Sequence, residues 1–191
     1  MPAPLFFRIA LVQTPEIMEK VENNELKEIF AAFYAKYSSP FLNFIRKACG
    51  GDEGTARDIF QESFLRLFRS SPRGLREYQL KSYLYRTAFR LVIDEKRRKR
   101  HEPLNEHLTG TAADREDANL KIDVSGAFNR LDPKSRSLLM LAHVEGYSYK
   151  EISRITGIRE TSLKVNLFRA RRKLEGILRS LGFPNGDGHE V

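Results

Sequence analysis

Tryptophan is absent from this chain of 191 residues; its aromatic bulk comes from 13 Phe and 7 Tyr. Cysteine occurs once, at Cys49. One thiol cannot close an internal disulfide, so a disulfide scaffold is excluded and a reducing compartment, the cytoplasm, fits. With Ile45, Ala48 and Gly50 as neighbours, Cys49 reads as a buried structural thiol. No apolar run approaches the roughly 18 residues that a membrane-spanning helix needs. Leu5–Val12 is apolar but short, is interrupted by Arg8 and lacks a basic leader, which argues against a signal peptide. The amphipathic pattern begins only after Met18, so Met18 is the expected start and 1–17 an extension outside the fold. Histidine is scarce as well. His101, His107, His143 and His189 show no metal-ligand spacing, and no carboxylates cluster with them. No metal, cofactor, catalytic residue or small-molecule substrate is expected.

Positive charge is plentiful. The chain carries 33 Lys and Arg against 25 Asp and Glu, a net +8. A basic balance favours an anionic partner such as nucleic acid or an acidic membrane surface. Its distribution is more informative than its sum. Lys81–Arg100 holds eight cations and two acids, and Arg159–Arg179 seven and two. Between them, Glu102–Asp123 holds six acids and two cations. Two basic blocks flank an acidic one.

Nearly every periodic segment reads as helix. Leu26, Ile29, Phe30, Phe33, Tyr34 and Tyr37 recur at three- and four-residue spacing. Pro40 is expected to begin a second helix with Phe41, Phe44 and Ile45, broken at Gly50-Gly51-Asp52. A third helix is predicted over 53–70 and a fourth from about Leu80 to Arg100. His101–Asp123 has no apolar period and reads as a flexible acidic linker. A second module begins near Val124, with Leu131-Asp132-Pro133 at a helix junction and Gly146 as a terminator. Ser148 with Glu151 three residues on forms a capping box. Thr156-Gly157-Ile158 is a turn, and a long helix follows to about Leu181. The fold class is therefore all-α: two small helical domains, 18–100 and 124–182, joined by a linker over 101–123, with 183–191 a disordered tail.

A short helix, a glycine turn and a longer helix make a helix-turn-helix. Helical spacing gives the long helix an inner stripe of Leu163, Leu167, Ala170, Leu174, Ile177, Leu178 and Leu181. Thr161, Val165, Phe168, Arg169 and Arg172 fall on the opposite face, with Lys164 and Arg171 at its edge. Arg can bind guanine edges in bidentate fashion, and apolar groups can touch a thymine methyl. A solvated basic face is the alternative.

In the first module, Phe60, Phe64 and Leu67 of the third helix point inward. Asp58, Glu62, Leu65 and Arg69 lie together on the other side, with Gln61 beside them. Leu65 in that polar setting suits either an incidental surface leucine or a protein-contact anchor, and periodicity leaves both open. In the fourth helix Leu84, Ala88, Leu91 and Val92 make the buried side. Tyr83, Arg86, Arg90, Asp94 and Arg97 line the other, extended by Lys96-Arg97-Arg98-Lys99-Arg100. Rings interleaved with cations suit single-stranded nucleic acid, whose bases stack while its phosphates are tracked. A charged helix end complementing its own dipole is the plainer reading.

The stretches Asp58–Phe68, Ser82–Arg100 and Tyr147–Leu174 resemble, in order and spacing, the three signature stretches of extracytoplasmic-function sigma factors of bacterial RNA polymerase. The resemblance covers about Asn24–Leu181. It implies that Asp58, Gln61, Glu62 and Leu65, with Arg69, bind the clamp helices of the largest polymerase subunit. It implies that Tyr83, Arg86, Arg90, Asp94 and Arg97, with Arg98, melt and hold the −10 element. Thr161, Lys164, Val165, Phe168, Arg169 and Arg172 would read the −35 element in the major groove. The flap of the second-largest subunit and an anti-sigma protein are further implied partners. Tyr83 departs from the family's usual Trp and Arg90 from its usual Asn. Asp132 adds a charge where a Leu-Pro start is usual, with little effect expected. Two other functions compete: a stand-alone helix-turn-helix regulator, and an enzyme acting on nucleic acid.

Overall fold

The computed structural model describes residues 24–70, 76–101 and 124–183. These residues form seven helices and no strand. The first module comprises α1 (Asn24–Ala48), α2 (Glu53–Ser70) and α3 (Glu77–His101). The second comprises α4 (Val124–Asn129), α5 (Pro133–His143), α6 (Tyr149–Thr156) and α7 (Glu160–Ser180). The extension over 1–17, the linker beyond His101, the tail beyond Phe183 and the side chains of Leu26 and Arg100 lie outside the described residues.

Pro40 does not start a new helix: α1 runs through it without a break. Proline has no N–H, so one rung of the helix ladder is lost there. Phe33 on one side and Phe41, Phe44 and Ile45 on the other are all buried in the same core. Packing on both sides outweighs one missing bond. The chain then turns through Gly50 and Gly51, at φ of 74° and 88°, where glycine carries no steric penalty. Asp52 caps α2, accepting from the Thr55 backbone N–H at 3.0 Å and from its hydroxyl at 2.7 Å.

Aromatic rings fill the first module. Phe64 packs against Tyr34, Phe41, Phe60 and Phe68 at centroid distances of 5.0, 5.7, 4.9 and 6.1 Å. Phe41 also meets Tyr85 of α3 edge-on at 5.2 Å. With α2's spacing set by Ile59, Phe60, Phe64, Leu67 and Phe68 facing inward, the other side of that helix is left outward. Helix α3 starts three residues earlier than its apolar period suggested. The Gln79 side chain reaches back to the Arg76 N–H at 2.8 Å, and Glu77 accepts from Lys36 and Tyr37 of α1. Local capping and a tertiary contact set that boundary, and neither has an apolar signature.

The second module follows its sequence signals closely. Ser148 and Glu151 form the expected capping box. Gly157 closes α6 at φ 75°, the left-handed conformation a helix end favours in glycine. Asp132 does more than the sequence suggested. It caps α5 by accepting from the Ser135 N–H at 3.0 Å, and it pairs with Lys173 of α7 at 2.9 Å. Asp132→Ala is therefore expected to lower stability by about 1 kcal/mol, the usual scale for a lost N-cap. Thermal unfolding followed by circular dichroism measures it.

Two carboxylates link the fold to pH. The Lys99 ammonium and then the Thr55 N–H and hydroxyl hold Asp52 from 3.8 down to about 2. Burial raises Asp132, but its bonds to Ser135 and Lys173 outweigh this and bring it well below the usual carboxylate range. A depressed folded value means the unfolded chain takes up protons first. These contributions are complete above about pH 4 and fade as the pH falls toward 2. Melting temperature should decline over that window, and Asp52→Asn should shallow the decline.

The modules are docked face to face. One contiguous hydrophobic cluster runs from Phe30 in α1 to Ala170 in α7. Helix α1 packs on α5, and α3 packs on both α5 and α6. No described helix is long and apolar enough to cross a membrane.

Candidate functional site

Helix α7 is positioned by its buried stripe. Leu163, Leu167 and Ala170 are fully enclosed, and Leu174, Ile177 and Leu178 half-buried. Their spacing turns Thr161, Lys164, Val165, Phe168, Arg169 and Arg172 outward, and all six are exposed. Val165 is 47% and Phe168 58% exposed. Two apolar side chains of that exposure at the centre of a cationic face are poorly explained by solvation alone. Arg172 lies 5.7 Å from the Phe168 ring centroid and 3.2 Å from Glu175. It thus borders the face while already engaged along its own helix. Arg171 donates to His143 of α5 at 3.3 Å, which turns that edge cation back toward the module. Burial first, then the Arg171 charge, lower the His143 pKa.

Helix α3 presents the second face. Arg90, Asp94, Arg97 and Arg98 are exposed, and Tyr83 and Arg86 are half-buried. The Arg86 Nε is enclosed without a hydrogen-bond partner. The run of five cations is less uniform than its spelling. Arg97 sits 3.9 Å from Asp94, Arg98 2.9 Å from Glu95, and Lys99 2.9 Å from Asp52.

The third face is the outer strip of α2. Asp58, Gln61 and Arg69 are exposed, and Glu62 and Leu65 half-buried. Glu62 is bonded to Arg66 at 2.7 Å, a neighbour the sequence reading left out of the strip. The three faces are not brought into one site. Each lies on its own helix, and each is fixed by the core stripe behind it.

Several buried residues escaped the sequence reading. Tyr85, Phe89 and Thr87 are buried on α3, where only Leu84, Ala88, Leu91 and Val92 were expected; Leu91 is in fact half-buried. The tyrosine is covered from both modules: its ring meets Phe41 and Phe44 of its own at 5.2 and 4.9 Å and Tyr147 of the other at 5.5 Å, and its hydroxyl donates to Glu145 at 2.5 Å. Arg136 is 6% exposed, and nothing in its own helix spelling marks it as buried. Cys49, expected to be buried, is half-buried, and burial ahead of the Asp52 charge pushes its thiol up to about 11. A thiol so raised is a poor nucleophile at neutral pH. Among the described residues, no three His, Cys, Asp or Glu side chains converge as a metal site would require.

Two family models match the chain: Sigma-70 region 2 over residues 33–102, and Sigma-70, region 4 over residues 122–174. The chain is 30% identical over 141 residues to the ECF RNA polymerase sigma factor SigE of Mycolicibacterium smegmatis, covering 67% of this chain and 53% of that protein. It is 29% identical to the ECF RNA polymerase sigma factor BldN of Streptomyces coelicolor, over 85% of this chain and 65% of that one. It is 25% identical to the RNA polymerase sigma factor CarQ of Myxococcus xanthus, over 81% and 92%. The chain thus spans between about half and two thirds of the length of the first two.

Proposed function

Since the chain belongs to the extracytoplasmic-function type of the sigma-70 family, we propose that it is a transcription initiation factor that catalyses nothing itself. It binds core RNA polymerase in the cytoplasm, recognises two promoter elements and promotes melting of the DNA. The α2 strip of Asp58, Gln61, Glu62, Leu65 and Arg69 is its contact with the clamp helices of the largest subunit. The α3 face of Tyr83, Arg86, Arg90, Asp94, Arg97 and Arg98 takes the −10 element, stacking bases on the ring and following phosphates with the cations. The α7 face reads the −35 element, with Arg169 and Lys164 at base edges and Val165 and Phe168 against thymine methyls. The second module also meets the polymerase flap, and an anti-sigma protein holds the factor inactive.

The observation that carries this reading is the exposure of Val165 and Phe168 on a helix set by the Gly157 turn. A stand-alone regulator would use the same helix, but it leaves the α2 strip without a purpose. Run-off transcription with core polymerase is the test. A promoter-dependent product is expected only when the chain is added; no product and no co-elution with core overturn the reading. Arg169→Ala is expected to weaken discrimination by about 1–3 kcal/mol at one −35 base position. Equal loss on every sequence, measured across single-base promoter variants, would reassign Arg169 to a phosphate.

A further inference from the structure

Several cations on α7 have an acid beside them. Arg172 and Arg179 flank Glu175 at 3.2 and 2.7 Å, and Lys173 meets Asp132 at 2.9 Å. Arg171 differs, because its described partner is a base. Its Nε donates at 3.3 Å to Nε2 of His143, in the last turn of α5. That nitrogen accepts only while it is unprotonated. Both side chains are exposed. The pair therefore stands at the surface with the charge of Arg171 uncompensated.

Its place on α7 matters as much as its partner. At about 100° per residue, Arg171 lies about 60° to one side of Phe168 and nearly in line with Lys164, two turns earlier. Beyond it come Leu167, buried, and Leu174, half-buried. Arg171 thus marks the border between the outward face and the inner stripe. A helix about 10–12 Å wide fills a major groove about 12 Å wide. Its central residues then meet base edges, and its flanks meet the phosphate strands on either side. On the side of α5 that flank is Lys164 and Arg171, with His143 against it.

We propose that Arg171 and His143 together form a phosphate contact on the flank of the −35 duplex, completed when His143 takes up a proton: the imidazolium releases Arg171, and both cations then face the same backbone strand. This rests on the −35 reading of α7 given above. Burial and then the Arg171 charge hold the free imidazole below its ordinary value of 6.5, so it is neutral at pH 7. Among the described residues, no charged side chain of α1, α3, α4 or α6 acts on it. Glu145, two residues on, is turned to Tyr85 and Lys81. Two cations 3.3 Å apart repel unless an anion joins them. A phosphate reverses the balance, because it favours the charged imidazolium and raises the pKa of His143. By reciprocity, proton uptake tightens DNA binding by the same factor. A rise of about one pH unit in that pKa corresponds to about tenfold in affinity.

The test measures binding of the full chain to two short duplexes, one carrying the −35 element and one of scrambled sequence, by fluorescence anisotropy. It is run at about pH 7.5 and about pH 5.5, on either side of the ordinary histidine value. A phosphate contact ignores sequence, so both duplexes should bind about tenfold more tightly at the lower pH. The slope of log affinity against log salt should steepen there by about 1–2. His143→Gln keeps an acceptor for Arg171 but cannot titrate. It should lose the pH response on both duplexes and leave the melting temperature unchanged. Arg171→Ala should shallow the salt slope at the lower pH by about 1. In parallel, the imidazole resonance of His143, identified by its absence in His143→Gln, should titrate at higher pH with scrambled duplex present than without it. An equal rise in affinity in His143→Gln overturns the proposal. So does a His143 titration that DNA leaves unmoved, or a failure of both duplexes to bind. Should both duplexes show the proton-dependent rise while neither is preferred and run-off gives no product, the duplex contact stands and its assignment to the −35 element falls.

Discussion

Leu65→Asp is expected to abolish co-elution with core RNA polymerase while leaving the fold standing. Leu65 is the apolar member of an otherwise polar strip, with Asp58 and Glu62 on one side and Arg69 on the other. An apolar anchor ringed by polar groups is where interface energy concentrates, and losing one costs about 2 kcal/mol or more, roughly 30-fold in affinity. A carboxylate does worse than a deletion, because it must be desolvated without a partner and adds a third acid to the strip. Leu65 is only half-buried within the chain, so its own contribution to stability should stay below about 1 kcal/mol. Size-exclusion chromatography with core, alongside a melting curve, separates the two effects. Should the melting curve collapse as well, Leu65 is simply part of the core.

The residue before it should behave in the opposite way. Phe64 is 1% exposed and packs against four other rings. Phe64→Ala removes those contacts and leaves a cavity that α1 cannot close without moving Phe41, which ties it to Tyr85. The expected loss is about 3–5 kcal/mol, out of a total that for most domains is only about 5–15 kcal/mol. The protein should be largely unfolded near 37 °C, with binding to core lost as a consequence. Denaturant titration gives the number. A loss under about 1 kcal/mol would mean that the aromatic core repacks freely.

That adjacent positions should act so differently was legible in the spelling. Helical period places Phe60, Phe64 and Leu67 on one side of α2 and Asp58, Leu65 and Arg69 on the other, and the structure keeps that division. On α7 it separates Leu163 and Leu167 from Val165 and Phe168, again as found. The capping box at Ser148 and the turn at Gly157 were legible for a similar reason: each is a requirement met by residues three or four apart. Pro40 shows where this fails. A proline reads locally as a start or a break, yet flanking side chains buried in one core carry α1 through it.

The sequence by itself therefore determined the helical class, the inner and outer faces of α2 and α7, and the cationic and apolar groups turned outward on them. All of these follow from a period of 3.6 residues and from neighbours within one turn. Only the tertiary structure decided that α5 and α6 lie on α1 and α3, that Arg136 is buried against the end of α1, and that Tyr85 is enclosed beside Glu145. Those partners stand 88 and 60 residues apart. Arg136 spells like any surface cation in its own helix, and Tyr85 like any ring beside a core stripe. The polar partners of both, the Ala48 carbonyl and Glu145, come from the other module, so no local pattern could carry those contacts.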